Sequence, residues 1–115
     1  MITLSSLQQK IIAFRDARDW SQFHTPKDLA IGLSLEAGEV LEHFLWKNPD
    51  EIAEYLKTHK EEIADEMGDV LNYLLIMAND FGIDLLDATS KKIDKNVQKY
   101  PVEKAKGRHT KYTEL

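Results

Sequence analysis

The chain has 115 residues, no cysteine and a formal net charge of −5 at pH 7, and its length fits one domain of ordinary size. The lack of cysteine excludes disulfides, Cys-based zinc sites and a thiol nucleophile, and the acidic balance argues against a surface that binds a nucleic-acid polymer. No apolar run approaches the roughly 20 residues of a membrane-spanning helix, and residues 1–15 lack the apolar centre of a signal peptide, so we expect a cytoplasmic protein without a membrane partner.

The first half of the chain predicts two helices joined by a connector. Apolar side chains recur at helical spacing over residues 5–17, and residues 18–24 form the connector. Thr25 is a suitable N-cap for the second helix, and Pro26 is a suitable first residue. The second helix should end near Lys47, because the Asn-Pro dipeptide that follows disfavours helix.

The second half predicts one short and two longer helices. A short helix is expected over residues 50–57, and a long one over residues 60–81 that ends at Gly82. Asp84 can cap a last helix that reaches Tyr100. These helices, with the two before them, have short connections and no sustained strand alternation between them.

The predicted fold is therefore all-α, a four-helix bundle-like single domain over residues 1–115. Residues 101–115 are its basic C-terminal tail, which we expect to be irregular from residue 102 onwards. The second helix is apolar around most of its circumference, so we expect it at the centre of the bundle. One small monomer could hardly cover so much apolar surface, which predicts a homo-oligomer, a dimer at least.

Two pairs of acidic residues interrupt this apolar pattern. Glu36 and Glu39 fall with His43 in a narrow polar gap on the second helix, and Glu66 and Asp69 share a stripe on the long helix. Burying such carboxylates costs several kcal/mol each, which protonation, basic partners or a divalent cation could offset. Oxygen ligands suit Mg²⁺ first and Mn²⁺ second. The alternative is that both pairs lie on exposed faces.

Basic and aromatic residues add weaker signals. Lys92, Asn96 and Lys99 share one face of the last helix and could donate to phosphate oxygens, although a solvated basic face is equally consistent with the pattern. Trp20 and Trp46 are aromatic residues of the kind that can stack on a ligand, but such tryptophans are more often part of a core.

The acidic pairs and their surroundings resemble the MazG-like branch of the all-α nucleoside triphosphate pyrophosphatases, and within it the small dCTP pyrophosphatase type. The resemblance covers residues 7–115. It is carried by Glu-x-x-Glu, a spacer of 26 residues (40–65) and Glu-x-x-Asp, within the stretches RDWSQFHTPKDLAIGLSLEAGEVLEHFLWK, EEIADEMGDVLNYLL and KKIDKNVQKYPVEKAKGRHTKYTEL.

The resemblance implies a role for each candidate residue. Four carboxylates would hold Mg²⁺ and serve catalysis: Glu36, Glu39, Glu66 and Asp69. Four side chains would surround the base and sugar: Trp20, His24, Trp46 and Tyr73. Three would meet phosphate: Lys92, Asn96 and Lys99. Members of the family assemble as dimers or tetramers, with sites near subunit contacts, and the resemblance suggests a C-terminal tail that is ordered at the site or the interface.

The expected reaction is Mg²⁺-dependent attack of water on the α-phosphate of a nucleoside triphosphate, which releases the monophosphate and pyrophosphate. Its expected role is to remove unwanted nucleotides from the nucleotide pool (house-cleaning). A deoxynucleotide such as dCTP or a modified pyrimidine is the expected substrate. The alternatives within the enzyme class are a dUTPase-like enzyme and a broad-specificity pyrophosphatase. A metal-stabilised helical interaction module without turnover is the alternative from a different class.

Overall fold

A computed structural model describes residues 1–115, and it contains helices and no strand. The α-helices are α1 (Leu4–Ala17), α2 (Pro26–Glu42), α3 (Pro49–Thr58), α4 (Lys60–Phe81), α5 (Leu85–Lys99) and α6 (Val102–Ala105), and two 3-10 helices span Ser21–Phe23 and Tyr112–Glu114. The all-α class is confirmed. No helix combines the length and the apolar character needed to cross a membrane.

The chain divides into two compact units, Met1–Gly82 and Ile83–Leu115. The first unit holds α1 to α4, and the second holds α5, α6 and the second 3-10 helix. That residues 1–115 act as one domain stays a prediction.

The helix ends in the structure follow the chemistry of their capping residues. The Thr25 hydroxyl accepts a hydrogen bond from the Asp28 backbone N–H at 3.2 Å, and the Asp84 carboxylate accepts one from the Asp87 N–H at 3.0 Å. Each satisfies a donor that the first helical turn leaves free. Gly82 ends α4 with a φ of 67°, a left-handed conformation that glycine adopts without strain. The predicted starts of α2 and α5 and the end of α4 are confirmed.

The end of α2 differs from the prediction. The helix stops at Glu42 rather than near Lys47, and the backbone N–H of Phe44 bonds back only three residues, to the Leu41 carbonyl, at 3.0 Å. Trp46 then takes a positive φ of 65°, which reverses the chain before the N-cap of α3. The prediction was wrong because α2 has to end several residues before the Asn-Pro dipeptide. The residues between them form the turn that allows Asn48 to cap α3.

The apolar core of the first unit lies on α4, which packs against both α2 and α1. Four of the five buried apolar residues belong to α4: Ile63, Leu75, Ile76 and Ala78. The fifth is Leu29 of α2, which is 1% exposed, whereas Leu35 and Leu41 of the same helix are 65% and 66% exposed. The expectation that α2 is the central helix is therefore wrong within this chain.

An ion pair ties α1 to α4 beside this core. The guanidinium Nη1 of Arg15, the only buried charged residue, donates to both carboxylate oxygens of Asp80, at 2.9 and 2.8 Å. Nε of Arg15 also donates to Asp16 at 3.2 Å. A charge buried this deeply is stable only with such partners, so the pair fixes how α1 lies on α4.

The second unit shows more order in the tail than the sequence predicts. Residues 102–105 form α6 and residues 112–114 a 3-10 helix, so the irregular tail expected from composition alone is wrong for these two segments. The ring of Tyr112 meets that of Tyr100 edge-on at 5.9 Å, and Nζ of Lys99 lies 4.7 Å from its centroid. These contacts hold the tail against the end of α5.

Candidate functional site

A cavity of about 640 Å³ opens in the first unit between α1, α2, α4 and the connector after α1. Five of the residues singled out from the sequence line it: Trp20, His24, Glu36, Asp69 and Tyr73. Its volume is in the usual range of small-ligand sites, roughly 300–1,000 Å³. The structure thus brings aromatic and acidic candidates from three segments of the chain to one place.

The connector holds Trp20 at the cavity through a sharp backbone turn. Asp19 has a φ of 56°, and the Trp20 N–H then donates to the Arg15 carbonyl at 3.2 Å, which reverses the chain after α1. The Trp20 ring meets Phe14 of α1 edge-on, with centroids 5.6 Å apart. This arrangement leaves the indole 44% exposed beside the cavity, free to contact a ligand.

Tyr73 depends on a glycine opposite it. Gly32 of α2 faces the Tyr73 ring so closely that an added Cβ would overlap it, lying 2.6 Å from Cζ. Only a residue without a side chain lets the ring lie against the α2 backbone. The phenol of Tyr73 therefore fills the space beside Gly32.

Glu36 of α2 has three other carboxyl groups of α2 and α4 near it. Burial raises the pKa of Glu36, and the nearby carboxyl groups of Glu39, Asp69 and Glu66 raise it further. Oε2 of Glu36 is buried and has no hydrogen-bond partner. A buried acceptor without a partner is rare and costly, so Oε2 of Glu36 is a candidate to accept a hydrogen bond from a ligand or to bind a cation.

The donor set fits a hard divalent cation in its chemistry. No three acidic or histidine side chains stand in positions that would hold an ion directly, so binding would require rotation of side chains on helices that already bring them near one another. A cation would neutralise the repulsion among the four carboxylates and would give Glu36 Oε2 its missing partner. Carboxylate oxygens are the ligands that Mg²⁺ and Mn²⁺ take.

Four other candidates belong to different parts of the chain. Trp46 sits in the turn after α2, is 91% exposed and is not among the residues that line this cavity. Lys92, Asn96 and Lys99 belong to α5 in the second unit and are all exposed. The charge of Lys99 lowers the pKa of Lys92, so these two ammonium groups share one helix face as the spacing predicts.

Several cavity residues were not predicted from the sequence. The wall from α1 includes Leu7, Ile11 and Phe14, which the helical pattern identifies only as core, and Lys10 and Arg15, which look like ordinary surface charges. Asn72 of α4 also lines the cavity. An amide three residues after Asp69 on the same stripe was the one available signal for it.

Comparisons with known proteins identify the family of this chain. A model of the MazG-like family matches residues 31–115. The dCTP pyrophosphatase 1 of Mus musculus is 39% identical over 98% of this chain and 68% of its own length, and that of Homo sapiens is 37% identical over the same shares. The solved structure of a pyrophosphatase from Archaeoglobus fulgidus is 39% identical, with a TM-score of 0.82 over 88% of this chain and 94% of that one. The family model, the relatives and the solved structure agree, and the chain belongs to the MazG-like family.

Proposed function

We propose that this protein is a nucleotide pyrophosphohydrolase that converts a deoxynucleoside triphosphate to its monophosphate and pyrophosphate with the help of a divalent cation. Family membership and relatives named dCTP pyrophosphatase support the reaction class. One observation on this chain carries the proposal. The buried, unpartnered oxygen of Glu36 stands among three further carboxylates and lines an aromatic cavity.

The carboxylates Glu36, Glu39, Glu66 and Asp69 would hold Mg²⁺, for which Mn²⁺ could substitute. The bound ion would polarise phosphate oxygens and lower the pKa of water. The oxygen of a water molecule would form a bond to the α-phosphorus, and the bond from that phosphorus to the bridging oxygen would break, so that pyrophosphate leaves. One of the four carboxylates would accept the proton that the water loses.

The aromatic side of the cavity is suited to the base and sugar. Trp20 and Tyr73 offer aromatic surface for stacking. Nδ1 of His24, which lines the same cavity, is buried without a hydrogen-bond partner. A nucleoside could supply that partner, and a pyrimidine deoxynucleotide such as dCTP or a modified form of it is the proposed substrate, as the names of the relatives suggest.

We assign the phosphate-binding role to Lys92, Asn96 and Lys99 of α5. The ammonium of Lys99 lowers the pKa of Lys92 because the two positive charges repel each other. A polyphosphate would relieve this repulsion and would accept the hydrogen bonds that these side chains can donate. Conversion of Lys92 to Met should then raise KM for the triphosphate more than it lowers kcat.

A homo-oligomer, dimeric or tetrameric, completes the proposal. Three large apolar side chains of α2 remain 47–66% exposed in the single chain: Ile31, Leu35 and Leu41. Apolar surface of this extent is typical of subunit contacts. Light scattering should therefore detect a dimer or tetramer at micromolar concentration, and a fully active monomer would contradict the assembly.

A panel of nucleotides tests the function directly. The purified protein is incubated with Mg²⁺ and each of dCTP, 5-methyl-dCTP, dTTP, dUTP, dATP, dGTP and the ribonucleotides, and pyrophosphate and inorganic phosphate are measured separately. We expect pyrophosphate release with a preference for the dCTP forms. Preference for dUTP would indicate a dUTPase-like enzyme, and equal rates a broad-specificity one. No turnover with Mg²⁺ or Mn²⁺ would favour the helical interaction module and contradict the proposal.

A further inference from the structure

His43 stands directly after α2, where the sequence predicts that the helix continues. Its side chain is only 12% exposed, and both ring nitrogens meet polar atoms from other helices. Nδ1 lies 2.5 Å from the hydroxyl oxygen of Tyr55 on α3, and Nε2 contacts Oε2 of Glu66 on α4. Neither Nε2 nor Oε2 has another hydrogen-bond partner. One imidazole therefore connects three helices at a carboxylate of the proposed cation site.

The hydrogen-bonding capacity of the three groups fixes the direction of these contacts. An ionised carboxylate can only accept, so Nε2 of His43 must carry the proton that is donated to Glu66. In the neutral ring Nδ1 is then an acceptor, and the Tyr55 hydroxyl donates to it. A doubly protonated ring satisfies the same contacts, because a phenol oxygen can also accept. The orientation therefore holds in either protonation form.

Tyr55 is itself held in place, so it can fix the histidine ring. Its ring stacks on that of His59 with centroids 3.8 Å apart and an interplanar angle of 2°. Nζ of Lys47 lies 4.4 Å from the centroid of the Tyr55 ring. A phenol bounded in this way has little freedom to move its hydroxyl. The chain of contacts thus runs from a fixed Tyr55 through His43 to Glu66.

We propose that His43 is a positioning residue for the divalent-cation site: it holds Oε2 of Glu66 so that the other carboxylate oxygen is presented to the cation, and Tyr55 fixes its ring. This inference rests on the proposed function. His43 reaches both helices from the C-cap of α2, where its backbone still has helical dihedrals (φ −59°, ψ −27°). Side chains that orient a metal ligand in this way are typically worth about 10–100-fold in metal affinity.

Cation binding without nucleotide tests the inference in three variants. Mn²⁺ affinity is measured by electron paramagnetic resonance, and retention of helix is checked by circular dichroism. His43→Leu removes both polar contacts and should weaken Mn²⁺ binding about 10–100-fold. His43→Gln places an amide N–H near the position of Nε2 and should restore most of the affinity. Tyr55→Phe keeps the stacked ring but loses the hydroxyl, and its loss should be smaller than that of the leucine variant.

A double-mutant cycle shows whether His43 acts through Glu66. In a Glu66→Gln background, His43→Leu should cause little further loss of Mn²⁺ affinity, because the carboxylate that it positions is gone. The same fold-loss in both backgrounds would overturn the inference, as would coupling of Mn²⁺ to an imidazole nitrogen that disappears in His43→Gln, since His43 would then be a ligand itself.

The outcomes also separate this inference from the proposed function. If Glu36→Gln weakens Mn²⁺ binding and His43→Leu leaves it unchanged, the cation site stands and the role of His43 is overturned. If Glu36→Gln, Asp69→Asn and the wild type all bind Mn²⁺ equally, the cation site itself is overturned, and the role of His43 with it.

Discussion

Helices α2 and α4 pack against each other, yet the helix with apolar residues around more of its circumference buries fewer of them. The apolar residues of α2 surround most of its circumference, but Leu29 is its only buried one. The residues of α4 are divided into a polar and an apolar face, and this helix supplies most of the core. Apolar content therefore does not identify the central helix of this chain. The exposed apolar residues of α2 fit a second role, which we propose to be contact with another subunit around the acidic gap.

The largest expected effect comes from the acids in that gap. Glu36→Gln should abolish pyrophosphate release and leave the helix content unchanged, because it removes a charged oxygen while keeping the shape of the side chain. Turnover of dCTP is the measurement. Glu42→Gln, which neutralises an exposed acid at the end of the same helix, is the matched control and should retain full activity. Normal turnover in Glu36→Gln would place the chemistry elsewhere.

The same substitution on each helix tests the difference in burial. Leu75→Ala on α4 removes a side chain that is 1% exposed and should lower the free energy of unfolding by about 2–5 kcal/mol. Leu35→Ala on α2 should cost no more than about 0.5 kcal/mol in dilute monomer, as surface substitutions do. Urea unfolding at several protein concentrations measures both. A loss of unfolding free energy for Leu35→Ala that grows with protein concentration would support the subunit contact. Equal losses for Leu35→Ala and Leu75→Ala in dilute monomer would contradict the difference in burial between the two helices.

The ion pair between α1 and α4 should matter nearly as much as the core. Asp80→Asn leaves the buried guanidinium of Arg15 without its main partner and should cost about 3 kcal/mol, the lower end for a broken buried pair because Asp80 is partly exposed. Thermal unfolding measures the loss. Asp16→Asn removes a more exposed partner of the same arginine and should have little effect. If both variants lose the same stability, the pair with Asp80 has no special role.

Mg²⁺ should stabilise the protein through the acids of both helices. At a hundredfold excess over its Kd, a cation that binds only the folded state adds about 2.7 kcal/mol, which appears as a higher Tm. Neutralising Glu36, Glu39, Glu66 and Asp69 together should remove the shift. A shift of the same size in that quadruple variant would mean that the cation binds at other residues.

The smallest effect concerns pH in the metal-free protein. Because burial and three carboxylates raise the pKa of Glu36 in the folded state, its protonated form favours folding below the ordinary glutamate pKa of about 4.3. This contribution is lost as the pH rises through the raised pKa. Relative to Glu36→Gln, the wild type should therefore lose stability as the pH increases from 4 upward. Parallel pH profiles of the two proteins would show that Glu36 is not destabilised by its neighbours.

Local signals in the sequence were sufficient for much of this fold. The bounds of α4, its end at Gly82 and the caps at Thr25 and Asp84 follow from spacing and capping chemistry within a few residues. The acidic pairs could be found because charges interrupt an apolar pattern. These features are encoded by neighbours along one helix, where helical geometry alone fixes their relation.

Features that depend on separate helices could not be read in this way. The end of α2 is set by the turn that precedes α3, and the contact of His43 with Tyr55 and Glu66 joins three helices. Asn72 meets the cavity only because α1 closes it from the other side. No periodicity in the sequence specifies which helix faces which, so these residues became visible only in three dimensions.

Isotope transfer tests the central claim most directly. The protein is incubated with dCTP and Mg²⁺ in ¹⁸O-labelled water, and the products are separated and analysed by mass spectrometry. Attack of water on the α-phosphorus should place the label in dCMP and leave the pyrophosphate unlabelled. Label in pyrophosphate, or release of inorganic phosphate in place of pyrophosphate, would contradict the account.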